Sequence, residues 1–252
     1  MLRLRVIVCA SVFLVVCGLF VRAQDNAALK AIVKKAIEAH GGEKNLAKYT
    51  AADTKFKGTM EIQGNKFDIT GQTLLQKPDK VKNIMKLDIA GNLIDVVTVF
   101  DGKKLWVSTA GQTKEIDDEK IIKAAREELQ SEGAGNLTEI LKAPYELNAI
   151  GEVKVKGKDA IGIRVSKKGQ KDISIFFDKK THLVIKTEMV TLDANTMQEV
   201  TQEKFILDYR DKNGHKIPQR VEIVKDGKTF MDIEITESTP LEKLDDSHFA
   251  KP

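Results

Sequence analysis

The chain has 252 residues, with 41 Lys and Arg against 37 Asp and Glu, for a formal net charge of +4. Three basic residues (Arg3, Arg5 and Arg22) and no acidic residue fall in the first 23 positions, so the remainder is nearly neutral, with 38 basic against 37 acidic residues. This argues against a basic nucleic-acid-binding surface. Both cysteines, Cys9 and Cys17, lie in the same first segment, which excludes a disulfide framework in the remainder.

The first 23 residues have the pattern of a secretory signal peptide. A basic start precedes an uncharged apolar run over Val6–Val21, and small residues precede a cleavage site near Ala23. A transmembrane anchor is the weaker alternative, because a spanning helix needs roughly 20 apolar residues. A lipid-attachment cysteine at Cys17 is a second alternative, weakened by Leu14–Val16 where a small residue is expected. We therefore expect a periplasmic or secreted protein.

A helix is predicted directly after this segment. Asn26 is a suitable N-cap, and the apolar residues between Ala27 and Ile37 fall on one stripe at helical spacing. The glycine pair Gly41-Gly42 ends the helix. Since the helix has one apolar face, it must pack on another element.

Strands follow in the N-terminal half. The segment Asp53–Gln63 alternates cleanly between apolar and polar side chains, as a strand with one solvated face does. Turns at Gly64-Asn65, Lys77–Lys80, Gly91-Asn92 and Asp101-Gly102 lead into further strands as far as Val107.

The long interruption at about 117–143 is predicted to be helical and to lie over the sheet. Carboxylates at Asp117–Glu119 favour a helix start, and the apolar stripe from Ile121 to Leu129 continues it. The run Gly133-Ala134-Gly135 ends the helix before a short helical turn at Asn136–Lys142.

The last third repeats the design of the N-terminal half. Apolar residues fall at every second position from Ile173 to Ile235, and the turns are too short for a crossover helix, so neighbouring strands are antiparallel. The turns are Asp178–Thr181, Asp211–Gly214 and Lys225–Lys228. About eleven strands result, in one domain over residues 24–252.

The strand number suggests an interior space. About eight strands close into a barrel that side chains just fill, so about eleven leave room for a helix or a ligand. Spacing alone leaves both possibilities open: a ligand cavity, or a core packed by the two helices.

Catalytic chemistry has no positive support in the sequence. The chain has no nucleophile elbow, glycine-rich phosphate loop or metal-ligand spacing. His40, His182, His215 and His248 are scattered over a helix end, two turns and the tail, which disfavours a metal or acid-base role. Asn136-Leu137-Thr138 matches a glycosylation acceptor only formally. We expect no enzyme, cofactor or metal.

Seven segments together resemble the periplasmic outer-membrane lipoprotein-sorting proteins of the LolA/LolB type. They are Ala39–Gly42, Gly58–Met60, Lys77–Lys80, Val99–Trp106, Phe177–Thr181, Tyr209–Pro218 and Asp245–Phe249. The resemblance covers nearly all of the chain after the first segment. It implies a mainly β fold, a curved, half-open antiparallel β-barrel with an N-terminal helix and a helical insertion as a lid, whose apolar interior shelters lipid chains.

Alternation then predicts the residues that line such a cavity. They are Phe56, Met60, Phe67, Met85, Leu87, Val97, Val99, Ile175, Phe177, Ile185 and Phe205. The expected partner is a lipid or the acyl chains of a lipoprotein, bound by a monomer, with no nucleic acid. The alternative is a periplasmic interaction or sensor module, in which the same concave sheet docks an envelope protein and carries no lipid.

Overall fold

The computed structural model describes residues 13–130, 137–193, 196–212 and 214–252. This part of the chain forms three α-helices, α1 (Phe13–Ala39), α2 (Glu43–Lys48) and α3 (Glu119–Gln130), and a 3₁₀ turn at Asp246–Phe249. The strands are β1 (Ala51–Ile62), β2 (Asn65–Gln76), β3 (Lys80–Ile89), β4 (Asn92–Phe100), β5 (Leu105–Thr109), β6 (Gln112–Ile116), β7 (Glu146–Val155), β8 (Lys158–Ser166), β9 (Ile173–Asp178), β10 (Val184–Asp193), β11 (Gln198–Lys212), β12 (His215–Lys225) and β13 (Lys228–Leu241).

All of these strands belong to one antiparallel sheet, in the order β6-β5-β4-β3-β2-β1-β13-β12-β11-β10-β9-β8-β7. Neighbours in sequence are neighbours in the sheet, and the pairing of β1 with β13 joins the N-terminal half (β1 to β6) to the C-terminal half (β7 to β13). Because β6 and β7 do not pair, the curved sheet stays open, which confirms the predicted half-open barrel. Its 13 strands exceed the predicted number. One that alternation does not reveal is β6, whose sequence has a single apolar residue, Ile116.

Many hairpins turn on two residues with positive φ, of which the second is glycine. These pairs are Gln63-Gly64, Ala90-Gly91, Ala110-Gly111, Lys156-Gly157 and Asp226-Gly227. Two positive φ values match the twist of a two-residue hairpin, and glycine adopts them without steric cost. Two turns that we predicted at Gly64-Asn65 and Gly91-Asn92 therefore begin one residue earlier.

The predicted N-cap at Asn26 is wrong, because α1 is continuous from Phe13 to Ala39 and includes it. An Asn inside a helix costs only a few tenths of a kcal/mol, which an apolar face that packs on the sheet easily offsets. The C-terminal end is as predicted: Gly41 and Gly42 have φ of 117° and 85°, and the Gly42 N–H donates to the Ile37 carbonyl. Residues 1–12, which include Cys9, lie outside the described part. Among the described helices, none has both the length and the hydropathy that a membrane crossing requires.

The sheet has two faces, which we name by what packs on them. The helix face carries α1, whose Leu29, Val33, Ala36 and Ile37 bury a cluster of strand residues in the C-terminal half. These strand residues are Leu147, Ile163, Val165, Ile175, Phe177, Val184 and Ile206. The pairing register continues this face into the N-terminal half. Ile206 of β11 pairs with Val221 of β12, which pairs with Ile233 of β13. Ile233 also pairs with Gly58 of β1, which pairs with Ile69 of β2.

The helix α3 lies over the same face, as predicted for the insertion. Its Arg126 donates to the Gly102 carbonyl and lies 5.9 Å from the Phe100 ring centroid, while Gln202 of β11 donates to Glu128 at 3.1 Å. The helix starts at Asp118, whose carboxylate accepts from the Lys120 N–H. Gly133–Gly135 and the formal acceptor Asn136 lie outside the described residues. Beyond them, Leu137 and Ile140 are buried against α1.

The opposite side, the tail face, carries the C-terminal tail. Leu244 and Phe249 are buried against Leu74, Val99 and Trp106 of the N-terminal half. Towards the centre of the sheet the same face is solvated, with cross-strand ion pairs that join Lys57 to Glu234, Lys86 to Asp95 and Arg220 to Asp232. The helix face is apolar across the centre of the sheet, where the tail face is charged.

Candidate functional site

An apolar cluster on the helix face of the N-terminal half is built, among the described residues, from strands alone. Met60, Ile69 and Leu87 form its buried centre, and half-buried side chains surround them. The surrounding residues are Phe56, Phe67, Met85, Ile89, Phe230 and Met231. We call this set the strand cluster. It differs from the cluster under α1, which a helix covers.

Glycine at position 71 gives the strand cluster its shape. A methyl group on Gly71 would lie 2.5 Å from the Phe56 ring, so only glycine lets that ring lie on the neighbouring strand. Phe56 and Gly71 are paired in the register of β1 and β2, and Gly71 is paired with Met85 of β3. The Phe56 ring therefore spreads across the strands and adds to a continuous apolar surface.

Five of the predicted lining residues meet in the strand cluster, and six lie elsewhere. Phe56, Met60, Phe67, Met85 and Leu87 are the five. Of the other six, Ile175 and Phe177 lie on the same face beneath α1. Val97 and Val99 lie on the tail face under the C-terminal tail. Ile185 and Phe205 form another tail-face cluster with Phe176. Whether any of the eleven contacts a ligand stays a prediction.

The antiparallel register explains this division. Alternation within β4 places Val97 and Val99 on one face of the sheet. Because Val97 pairs with Ile84 of β3, that face is the one from which Met85 points away. In β10, Val184 pairs with Phe177 on the helix face, so the next residue, Ile185, lies on the tail face with Phe205. Neither effect is visible in one strand's sequence.

A half-buried ammonium lies at the end of β2, where the sequence indicated only a turn. Burial lowers the pKa of Lys77, while the charge of Glu139 partly opposes that effect. Within the described residues the Lys77 ammonium has no hydrogen-bond acceptor or carboxylate at bonding distance, although its backbone N–H donates to the Thr50 carbonyl at 2.8 Å. Buried charges are normally paired, so this unpaired one can accept an anionic group. Alternation cannot identify it, because it follows the last strand residue.

The histidines divide between one corner of the fold and two separate places. His40 ends α1 near His215, which begins β12, because Gly41 touches the Gly214 carbonyl. His182 lies in the turn between β9 and β10, and His248 lies in the 3₁₀ turn of the tail. In the described ranges, no three His, Cys, Asp or Glu side chains are grouped so that they could hold a metal ion.

Two clefts open on the surface of the N-terminal half. One, of about 510 Å³, lies where the tail meets the turns, beside Asp79, Lys80, Asp101, Lys103, Trp106, Asp246 and Phe249. The other, of about 570 Å³, borders the strand cluster at Phe67 and is otherwise lined by Thr59, Lys66, Asp68, Asp88 and Ala90. Both are rich in charged side chains, unlike the apolar lining that small-molecule sites usually have.

Comparison with known proteins identifies the fold. No family model matches the chain, and no curated protein matches it in sequence. A DUF1329 family protein from Desulfovibrio piger is similar in structure, with a TM-score of 0.56 and 15% identity over 88% of this chain and 96% of that chain. A LolA superfamily protein from Nitrosomonas europaea has a TM-score of 0.53 and 11% identity, over 88% of this chain and 97% of that chain.

A third similar structure is a putative outer membrane lipoprotein-sorting protein domain from Vibrio parahaemolyticus. Its TM-score is 0.53 with 12% identity, over 86% of this chain and 97% of that chain. These matches span nearly the whole sheet in both partners. The chain has a LolA-like fold, as its sequence motifs suggested.

Proposed function

We propose that this chain is an exported, non-enzymatic binding protein that shelters acyl chains or another hydrophobic ligand on the helix face of its half-barrel. The observation that carries this proposal is the strand cluster. Its members all come from β1, β2, β3 and β13, and six of its nine side chains are only half-buried. A fold that covers the C-terminal half of this face with α1, places α3 near Phe100 and leaves the strand cluster without a described helix residue offers a surface for a ligand.

The energetics favour an acyl chain on this surface. Each methylene removed from water contributes about 0.8 kcal/mol, so several of them offset the cost of ordering the ligand. Phe56, Phe67 and Met85 supply flat or flexible apolar contacts, and methionine adapts to ligands of different shape. The bound ligand in turn removes these side chains from water.

An anionic head group would pair with the ammonium that follows the far end of β2. Lys77 follows β2, the strand that carries Phe67 and Ile69, and its ammonium has the unpaired charge described above. A carboxylate or phosphate would pair with that charge in a site of reduced solvent access. The proposal therefore favours an amphiphile over a neutral hydrocarbon.

Two adjacent residues of β3 provide the decisive experiment. Met85 lies on the helix face and Ile84 on the tail face, and both are half-buried. We expect M85Q to weaken binding of a fluorescent fatty acid by about tenfold, because it places a polar group in the apolar contact. The matched control I84Q keeps wild-type affinity.

Native mass spectrometry of the protein purified from its own host's envelope provides an independent test of the same proposal. A lipid adduct in that preparation supports it. Absence of any adduct, together with no uptake of the fluorescent fatty acid, contradicts it. Export is tested by the intact mass of the envelope protein, which we expect to begin near Gln24 after cleavage at Ala23.

The alternative function is a module that docks a protein segment, and the free edge of β7 favours it. This strand is ten residues long and, among the described strands, pairs only with β8, so an extended peptide could add to its outer edge as a further strand. A pull-down from the envelope that recovers one defined protein, with no lipid in the preparation, would support this function over lipid binding.

A further inference from the structure

Two buried imidazoles lie at the corner where α1 ends against the sheet. His40 is 2% exposed and His215 is 9% exposed, and the Nε2 atom of each is buried without a hydrogen-bond partner in the part of the chain that the structure describes. The two residues flank a close backbone contact, because a methyl group on Gly41 would lie 2.5 Å from the Gly214 carbonyl oxygen. The end of α1 and the start of β12 are therefore in close backbone contact.

The hydrogen bonds of His40 determine which nitrogen would take up a proton. Its Nδ1 lies 2.8 Å from the Ala36 carbonyl oxygen, which can only accept, so Nδ1 carries the hydrogen of the neutral ring. A second proton must go to Nε2, for which the described residues offer no acceptor. The ring packs edge-to-face on Tyr209 of β11 at 5.7 Å, and the Tyr209 hydroxyl donates to the Val184 carbonyl of β10. No charged side chain of the described residues is paired with His40.

The surroundings of His215 are similar but include one carboxylate. Its ring packs edge-to-face on Tyr49, which follows α2, at 4.8 Å. Asp211 of β11 is the facing acid, but Lys216 at 3.0 Å and the Gly214 N–H at 2.9 Å already occupy its oxygens. A protonated His215 would therefore have to share the negative charge of Asp211 with Lys216.

We propose that His40 and His215 form an acid-sensitive latch: proton uptake at both imidazoles releases the end of α1 from the helix face and exposes the apolar strand residues beneath it. The latch is independent of the ligand-binding proposal, because it concerns the docking of α1 alone. Its driving force is the loss of solvation of two imidazolium groups that the docked corner cannot pair.

The direction of the pH dependence follows from linkage. Burial lowers the pKa of His40, with the Ala36 hydrogen bond opposing, and burial lowers the pKa of His215, with the Asp211 charge opposing. A lowered pKa stabilises the docked form above the ordinary imidazole value of about 6.5, and that contribution is lost as the pH falls below it. Each imidazole raises the opening constant by up to about tenfold per pH unit in that range.

Hydrogen exchange of the purified protein, without ligand, tests the latch. We expect the opening constant of the amides between Leu29 and Ala39, corrected for intrinsic exchange, to rise by tenfold or more from pH 7.5 to pH 5.5. The double variant H40Q/H215Q removes this rise. The matched control H182Q/H248Q changes the two histidines outside the corner and keeps the wild-type rise. Equal opening constants at both pH values, or an unchanged rise in H40Q/H215Q, would overturn the proposal.

A measurement on the wild-type protein keeps the test valid if H40Q/H215Q does not fold. Nitrogen-detected NMR titration of the imidazoles should show His40 and His215 neutral at pH values below 6.5, with protonation coinciding with loss of amide protection in α1. Protonation of both rings while α1 stays protected would contradict the latch. If the latch is contradicted in this way and the protein still binds its ligand, the ligand-binding proposal is unaffected.

Discussion

The two halves of the helix face have the same strand chemistry and differ in what covers them. In the C-terminal half, α1 buries Ile163, Phe177 and Val184 to 1% exposure or less. In the N-terminal half, the equivalent strand residues Phe56, Phe67 and Met85 remain half-buried in a cluster without a helix residue. The difference separates a core packed by a helix from a cluster that described strands build without one, and it is to this second cluster that we assign the proposed ligand. Each prediction below tests one side of this comparison.

The largest effect is expected in the packed half. Phe177→Ala removes a ring that is 1% exposed, and it should lower the free energy of unfolding by about 3–5 kcal/mol. Phe56→Ala in the strand cluster should cost less than half as much, because that ring is already partly in water. Urea denaturation of the two variants measures both values. Equal losses would show that the two halves are packed alike.

The C-terminal tail should stabilise the N-terminal half from its other face. Phe249 is 2% exposed beneath the tail and packs with Val99 and Trp106. Phe249→Ala should therefore cost about 3 kcal/mol, at the low end for such changes because the tail can adjust. Tryptophan fluorescence of Trp106 during urea unfolding reports this loss. A change below about 0.5 kcal/mol would mean that the tail does not support the strand cluster from behind.

A smaller effect is expected from Lys77, whose proposed role is separate from that of the apolar strand cluster. Lys77→Gln should weaken binding of a fatty acid by about tenfold, since a charge-assisted hydrogen bond contributes about 1.5–3 kcal/mol, part of which the Gln amide keeps. The matching fatty alcohol should bind Lys77→Gln and wild type equally. Competition for a fluorescent probe measures both ligands. Equal losses for the two ligands would contradict a head-group role for Lys77.

The smallest effect concerns the attachment of α1. Tyr209→Phe removes the hydroxyl that donates to the Val184 carbonyl at 2.7 Å, and it should cost about 1 kcal/mol. The ring still packs on His40, so the pH dependence of α1 exchange should persist. Thermal unfolding and hydrogen exchange check the two statements. Loss of the pH dependence would assign it to the hydroxyl and not to the imidazoles.

Local patterns predicted much of the fold because local chemistry determines it. Alternation and short turns indicated antiparallel strands, and Gly41-Gly42 marked the end of α1. The start of α1 was wrong, because the apolar run before Asn26 continues the helix. Strand β6 was missed since its residues alternate in no recognisable way.

The candidate site was harder to predict because it depends on pairs of strands. Phe56 and Met85 share a face only through the register of three strands, and the same register separates Val97 from them. The corner formed by His40 and His215 joins segments far apart in sequence, and Lys77 follows a strand end where no pattern applies. A single sequence contains these residues but not their pairing.

The pairing of β1 with β13 has a consequence for how the protein is made. Each half is a meander of neighbouring hairpins, so its contacts are local and can form as soon as its own strands are available. The central seam is different, since Ala51 pairs with Leu241 and needs nearly the whole chain. During synthesis the first half therefore waits with the edge of β1 unpaired until the last strand arrives. Chaperones and proteases would therefore meet this protein while its N-terminal half is formed and the edge of β1 is still unpaired.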